Sequence, residues 1–353
     1  MSTQTTIGEV LRNRGMSRRS FLQFCTATAS LLALPPSLVP RLAQALEQAR
    51  RPSVLWLEFQ ACTGCTETLT RSDAPTLENL LFDVISLDSH DTLQAAAGHA
   101  AEAARTAAMK ENWGNYLVMV DGSLPLDNSG YSTIGGVSNV ELLKEAAKGA
   151  FAVVAVGSCA AFGGLPYAAP NPTGAVPVSA VVKDKPVINV SGCPPIPVVL
   201  TGVLAHYLTF GTLPALDRHG RPNLFFAQTI HDRCYRRPFY ERGQFAESFD
   251  DEGAKQGWCL YKLGCKGPVT YNACATVKWN QGVSFPIEAG HGCIGCSEPN
   301  FWDKGSFYRS LPQGDWGNAG GLAAAAALGA GVAVGTSLLA RHKLHRAQEE
   351  EKS

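Results

Sequence analysis

Between residues 53 and 190 the chain alternates short apolar runs with polar, helix-compatible stretches. The runs cover 54–57, 116–120, 151–156 and 187–190; each is apolar at consecutive positions, Asn189 excepted, and ends in a loop containing Gly or Cys. Continuous β-branched runs of this length predict strands covered on both faces, hence a parallel sheet. The stretches between them, such as 93–112 and 140–148, predict helices. Strand and helix in alternation predict an α/β, doubly wound parallel-sheet domain over residues 52–220. After Pro222 the texture changes to aromatics, Gly, Pro and Cys without a sustained period. A boundary is therefore expected near residue 220, with residues 221–312 held by something other than a regular core. There is no internal repeat.

The two ends read differently. Arg18 and Arg19 stand directly before Phe21, Leu22 and a mildly apolar run to Val39. That order predicts a twin-arginine export signal over residues 1–45, with small residues near Ala43 and Ala45 for cleavage. The bland alternative is an N-terminal amphipathic helix, which Pro35 and Pro36 would break. At the other end, residues 319–340 carry no charge, enough at about 1.5 Å per residue to cross a hydrocarbon core of about 30 Å. A flexible linker or a buried small-residue helix is the alternative, because the run is Ala- and Gly-rich. Gly331 and Gly335 form a GxxxG spacing, and Arg341, Lys343 and Arg346 follow as a cytoplasmic anchor. The expectation is a C-terminal transmembrane helix, with the body outside and the tail, 341–353, inside.

Composition narrows the function. The 353 residues include 30 Lys+Arg and 30 Asp+Glu, a formal charge of zero, so no broad basic face is available for nucleic acid. Eleven cysteines are too few for a disulfide-dense scaffold and too grouped for a routine core. Cys25 belongs to the leader. Of the ten that remain, Cys62 and Cys65 follow the first predicted strand, Cys159 the third and Cys193 the fourth. Ligands of open parallel sheets bind outside the carboxyl ends of the strands, so these four thiols are expected to converge on one edge. A four-cysteine zinc site, or scattered thiols and disulfides, are the alternatives.

The second part holds His231, Cys234, Cys259, Cys265, Cys274, Cys293 and Cys296. With His231 the donors number eleven, which divides into two sets of four and one of three. Thiolate-rich sites select iron-sulfur or zinc by softness, and zinc alone would leave the three-cysteine set incomplete. Twin-arginine export carries folded, cofactor-loaded proteins, which fits thiols already sequestered before an oxidising compartment.

Taken in order, these motifs resemble the small, electron-transferring subunit of membrane-bound nickel-iron uptake hydrogenases. The likeness rests on the leader, Cys62-Thr-Gly-Cys-Thr-Glu67, residues 82–87, Ala95-Ala-Ala-Gly-His99, Gly157-Ser-Cys-Ala160, Gly192-Cys-Pro-Pro195 and the run from Glu288 to Trp302. It implies a flavodoxin-like first domain and an irregular iron-sulfur cluster-binding second domain. By position, Cys62, Cys65, Cys159 and Cys193 correspond to the ligands of a proximal 4Fe-4S cluster. His231, Cys234, Cys259 and Cys265 correspond to those of a distal 4Fe-4S cluster. Cys274, Cys293 and Cys296 correspond to those of a medial 3Fe-4S cluster, with Pro286 where relatives also lack a fourth thiolate. Glu67 matches a family acid, of proton-transfer or loop-orienting role. Gly64 and Gly164 stand where oxygen-tolerant relatives have two extra cysteines, and Ala61 replaces a common acid. The resemblance further implies that hydrogen is cleaved on a large subunit, with electrons passing to a membrane cytochrome b and quinone. His342 and His345 either reach a haem or lie in a solvated tail. The rivals are an iron-sulfur subunit of another respiratory complex, including the quinone-reductase type, and a secreted binding protein stabilised by zinc or disulfides.

Overall fold

The computed structural model describes residues 6–13, 17–31, 35–73, 75–305 and 307–311. Five parallel strands form its centre: β1 (Ser53–Glu58), β2 (Ser86–His90), β3 (Tyr116–Asp121), β4 (Ala150–Val156) and β5 (Val187–Val190). Their order in the sheet is β2-β1-β3-β4-β5, the flavodoxin-like winding. Chain direction across the sheet reverses between β1 and β3, which opens a crevice at their carboxyl ends.

Four strands coincide with the predicted runs. The fifth, β2, was not predicted, because Ser86-Leu-Asp-Ser-His90 is largely polar. It is an edge strand with β1 as its sole neighbour in the sheet, so it needs no continuous apolar run.

Alternate residues of the inner strands enter two separate cores. Val54, Trp56, Leu117, Met119, Val154, Val156, Ile188 and Val190 point to one face; Leu55, Leu57, Val118, Val120, Val153 and Ala155 point to the other. The helices that frame the sheet and its edge are α1 (Ile7–Asn13), α2 (Arg18–Leu31), α3 (Val39–Gln48), α4 (Gly64–Thr70), α5 (His99–Glu111), α6 (Asn139–Lys148), α7 (Gly157–Phe162) and α8 (Pro197–Phe210). The helix expected from residue 93 starts only at His99. α6 matches its expectation to within a residue: Ser138 caps it, its hydroxyl accepting from Glu141 N at 3.3 Å, and Leu142, Leu143, Ala146 and Ala147 are buried along it.

The first core is shared with the second part of the chain. Phe226, Ile230, Ala246, Leu260, Phe285 and Ile287 belong to the same cluster as the sheet residues and α8, and residues 1–310 form one compact unit. This second part has little regular structure: 223–226, 237–241 and 252–255 are helical, and 231–233, 261–263, 267–269 and 273–275 are 3-10 turns. At the seam lies Arg221, 2% exposed. Its guanidinium pairs with Asp217 and Glu298, both at 2.8 Å, and donates to Ser297 O at 3.1 Å.

In the leader region, α2 ends before Pro35 and Pro36, and Cys25, Ala29, Leu42, Ala43 and Leu46 form a small core of their own. The apolar run 319–340 and the tail with His342 and His345 lie outside the described residues. Among the described residues, no helix is long and apolar enough to cross a membrane.

Candidate iron-sulfur sites

The first four cysteines meet at the carboxyl edge of the sheet. Cys62 lies exposed in the loop after β1, and Cys65 is buried in the first turn of α4. Cys159 sits in α7, directly after β4, and Cys193 follows β5. The thiols of Cys159 and Cys193 both face Cys62, and that of Cys65 faces Cys159 and Cys193. Burial pushes Cys159 up to about 11 and Cys193 up to about 12, so thiolates here need a cation to form. Glycine is required beside them. A Cβ on Gly157, at φ +82, would lie 2.5 Å from Cys65 Sγ, and one on Gly164, at φ +59, 2.6 Å from Cys159 Sγ.

Behind Cys65 is a polar network that sequence reading did not find. Asp121, the last residue of β3, lies beside the Cys65 thiol, which donates to Val156 O at 3.7 Å, and is pushed up to about 6, mainly by burial. Its Oδ2 has no hydrogen-bond partner. Glu58, ending β1, accepts from Thr66 Oγ1 and, at 2.6 Å, from Thr92 Oγ1. His90, ending β2, is fully buried, stacks on Trp56 at 5.1 Å, and accepts at Nδ1 from Thr92 N at 3.1 Å and Leu93 N at 3.3 Å. Two amides on Nδ1 place the proton of the neutral ring on Nε2. These contacts tie α4, and with it Cys65, to the strand ends. The signal that could have found them is a polar residue closing each of three strands.

Glu67, in the same turn as Cys65, pairs with Arg71 at 2.6 Å, both side chains about half exposed (54% and 52%).

His231, Cys234, Cys259 and Cys265 line one hollow in the second part, with Pro268 and Ile287. Burial and nearby Arg237 lower the His231 pKa, favouring the neutral ring that can ligate a metal. The ring packs edge-on against Tyr240 at 4.7 Å. A second, apolar cavity of about 230 Å³ is lined by Cys274, Cys293 and Cys296, with Pro286 in its wall. All three of its thiols are pushed up, burial being the main cause.

Backbone amides point at these sulfurs. Gly267 N and Cys293 N donate to Cys265 Sγ at 3.4 and 3.3 Å, and Gly295 N donates to Cys293 Sγ at 3.4 Å. The Tyr261 amide lies near the Cys259 sulfur and the Arg236 amide near that of Cys234, while Arg237 N donates to the Cys234 carbonyl at 3.0 Å. An amide two residues after the cysteine recurs at Cys234, Cys259, Cys265 and Cys293. Such donors favour thiolate over thiol, and hydrogen bonds to sulfur tune iron-sulfur potentials. Among the described residues, no three His, Cys, Asp or Glu groups close on a point tightly enough for a single metal ion. The seven donors of the second part line two hollows, which fits polynuclear clusters better than single zinc ions there.

Comparison with known proteins finds likeness over both halves of the chain. Residues 226–309 match the family model for the C-terminal region of the NiFe/NiFeSe hydrogenase small subunit, and residues 62–207 match "NADH ubiquinone oxidoreductase, 20 Kd subunit". The uptake hydrogenase small subunit of Azotobacter vinelandii is 53% identical over 95% of both chains. That of Cupriavidus necator is 54% identical over 87% of this chain and 85% of its own. Among solved structures, a reduced, active Ni-Fe-Se hydrogenase from Desulfomicrobium baculatum aligns with TM-score 0.70 and 35% identity, covering 74% of this chain and 100% of that one. An actinobacterial-type NiFe-hydrogenase from Ralstonia eutropha aligns with TM-score 0.68 and 26% identity, covering 79% and 87%.

Proposed function

This chain belongs to the family of nickel-iron uptake hydrogenase small subunits, iron-sulfur proteins that serve an oxidoreductase and pair with a large subunit; from that premise we propose how its donors are divided. Cys62, Cys65, Cys159 and Cys193 hold a proximal 4Fe-4S cluster. Cys274, Cys293 and Cys296 hold a medial 3Fe-4S cluster, and His231, Cys234, Cys259 and Cys265 a distal 4Fe-4S cluster. When bound, such groups accept and release single electrons without bond rearrangement. The observation that carries this reading is the gathering of all eleven donors into three groups, two of which line separate cavities.

The chain supplies the rest. Buried glycine-rich loops let sulfurs crowd together, backbone amides stabilise the thiolates, and the largely apolar walls of the medial cavity lower the local polarity. Pro286 in that wall supplies no thiolate, which supports three ligands there. Gly64 and Gly164 leave the proximal set at four cysteines. The order proximal, medial, distal leads electrons from hydrogen oxidation on the large subunit toward an acceptor.

For that acceptor we assign a membrane cytochrome b feeding quinone. The support is the uncharged run 319–340 followed by Arg341, Lys343 and Arg346, and the Arg18-Arg19 leader, which fits export to the periplasmic side of the cell membrane. The regions are then a leader (1–45), a flavodoxin-like domain (52–220), a cluster domain (221–312), an anchor (319–340) and a cytoplasmic tail (341–353). Truncation before Ala319 is expected to release the complex from membranes; persistent tight association would reject the anchor.

The ligand assignment is tested by iron and acid-labile sulfide with low-temperature EPR on the anaerobically purified complex, after establishing the partner's own metal. About eleven irons per small subunit and a 3Fe-4S signal on oxidation are expected. Zinc without labile sulfide would overturn it. His231→Ala is expected to impair reduction of external dyes while the large subunit still assembles; an unchanged distal signal and turnover would remove His231 from the set.

A further inference from the structure

The proximal and medial groups are joined by one short hydrogen-bonded bridge. Ser158, 1% exposed, is the residue before Cys159. Its N–H donates to Gly192 O at 2.8 Å, and its Oγ accepts from Gly192 N at 3.0 Å, beside Cys193. The same hydroxyl donates to the carbonyl of Cys296. One side chain thus grips the loops of two proximal cysteines and the backbone of a medial one. A second hydroxyl crosses the same seam: Ser191 Oγ donates to Ser297 O at 2.9 Å, but Ser297 is not among the donors.

The hydroxyl itself therefore spans the gap, from the residue before Cys159 to the carbonyl of Cys296. The next gap repeats the arrangement, since Cys293 N donates to Cys265 Sγ at 3.3 Å while Lys266 N donates to Cys293 O at 2.6 Å. At both gaps a residue adjacent in sequence to one group's cysteine donates to the carbonyl of a cysteine in the neighbouring group.

We propose that Ser158 is the positioning residue of the proximal-to-medial electron step, holding the Gly192-Cys193 loop against the Cys296 carbonyl so that a hydrogen-bonded route spans the gap. This rests on the ligand assignment above. The step moves one electron, oxidising the proximal centre and reducing the medial one, with no bond made or broken and no proton transferred. Ser158 touches neither reacting centre; it acts through the two loops that it binds.

The test compares Ser158→Ala with Ser191→Ala in the whole complex. Each removes one hydroxyl bond across the same seam, and only the first loosens a cysteine ligand. Rapid-freeze EPR follows reduction of the medial centre by hydrogen, and static EPR reads the magnetic interaction between the proximal and medial centres. With all three centres retained, Ser158→Ala is expected to slow medial reduction by about tenfold, the scale on which small misplacements are felt between reacting groups. It should also change the proximal-medial interaction, while Ser191→Ala leaves both near normal. Unchanged transfer in Ser158→Ala, equal slowing in both variants, or loss of the medial centre from Ser158→Ala would each overturn the proposal. Absence of one of the three centres from the unsubstituted complex would instead overturn the ligand assignment, and the proposal with it.

Discussion

The sheet half and the cysteine-rich half solve the same problem, holding donors in place, by opposite means. In the first, five strands and two apolar cores form the frame, and four thiols are set at the strand ends. In the second, short helices and 3-10 turns are linked by isolated bridges such as Thr229 to Tyr271 and Phe245 to Cys259, and four of the seven donors, Cys259, Cys265, Cys274 and Cys293, are buried within it. A site built on a sheet edge uses an existing frame; a site that fills an irregular region is part of its frame.

Removing the clusters should give the largest effect and the sharpest contrast. Oxidative destruction of the iron-sulfur groups in the complex is expected to strip amide protection from residues 226–309 while β1, β3 and β4 stay protected. Hydrogen exchange read by mass spectrometry checks this; equal loss in both halves would break the comparison.

Next comes the seam. Arg221→Ala leaves Asp217 and Glu298 without the buried guanidinium and frees Ser297 O, a loss of about 3–5 kcal/mol. Thermal or chemical unfolding of the complex should show it, with the medial EPR signal disturbed before the proximal one. A medial signal as sharp as in the unsubstituted complex would show that the seam does not support that site.

Within the sheet half, Leu143→Ala removes a fully buried side chain of α6 and is expected to cost about 2–4 kcal/mol. All three cluster signals should survive, because the second core includes none of the donors of the irregular half. Smallest is Ser138→Ala, which removes the cap of α6 and should cost about 1 kcal/mol in the same unfolding measurement. A larger loss would mean that the capped turn supports more than its own helix.

Legibility followed the same division. The inner strands were readable because burial on both faces demands uninterrupted apolar residues, as in Tyr116 to Val120. The edge strand β2 was not, since its partly exposed positions accept Ser86 and Asp88 and its buried ones take Ser89 and His90. The donors were readable because Cys and His carry their chemistry in their identity. Asp121, Glu58, His90 and Ser158 were not, because each is a common polar residue whose role arises from what it meets: Cys65, Thr66, Trp56 and the Cys296 carbonyl.

By itself, then, the sequence determined the alternation of strand and helix, the change of texture near residue 220, and an inventory of soft donors. Those follow from local periodicity and residue chemistry. Only the tertiary structure decided that Ser158, beside Cys159, would bond the backbone of Cys296, 138 positions away. It also brought Arg221 to Glu298 across the seam. Such contacts depend on how separate elements pack, and no local pattern encodes which polar group will face which across a buried seam.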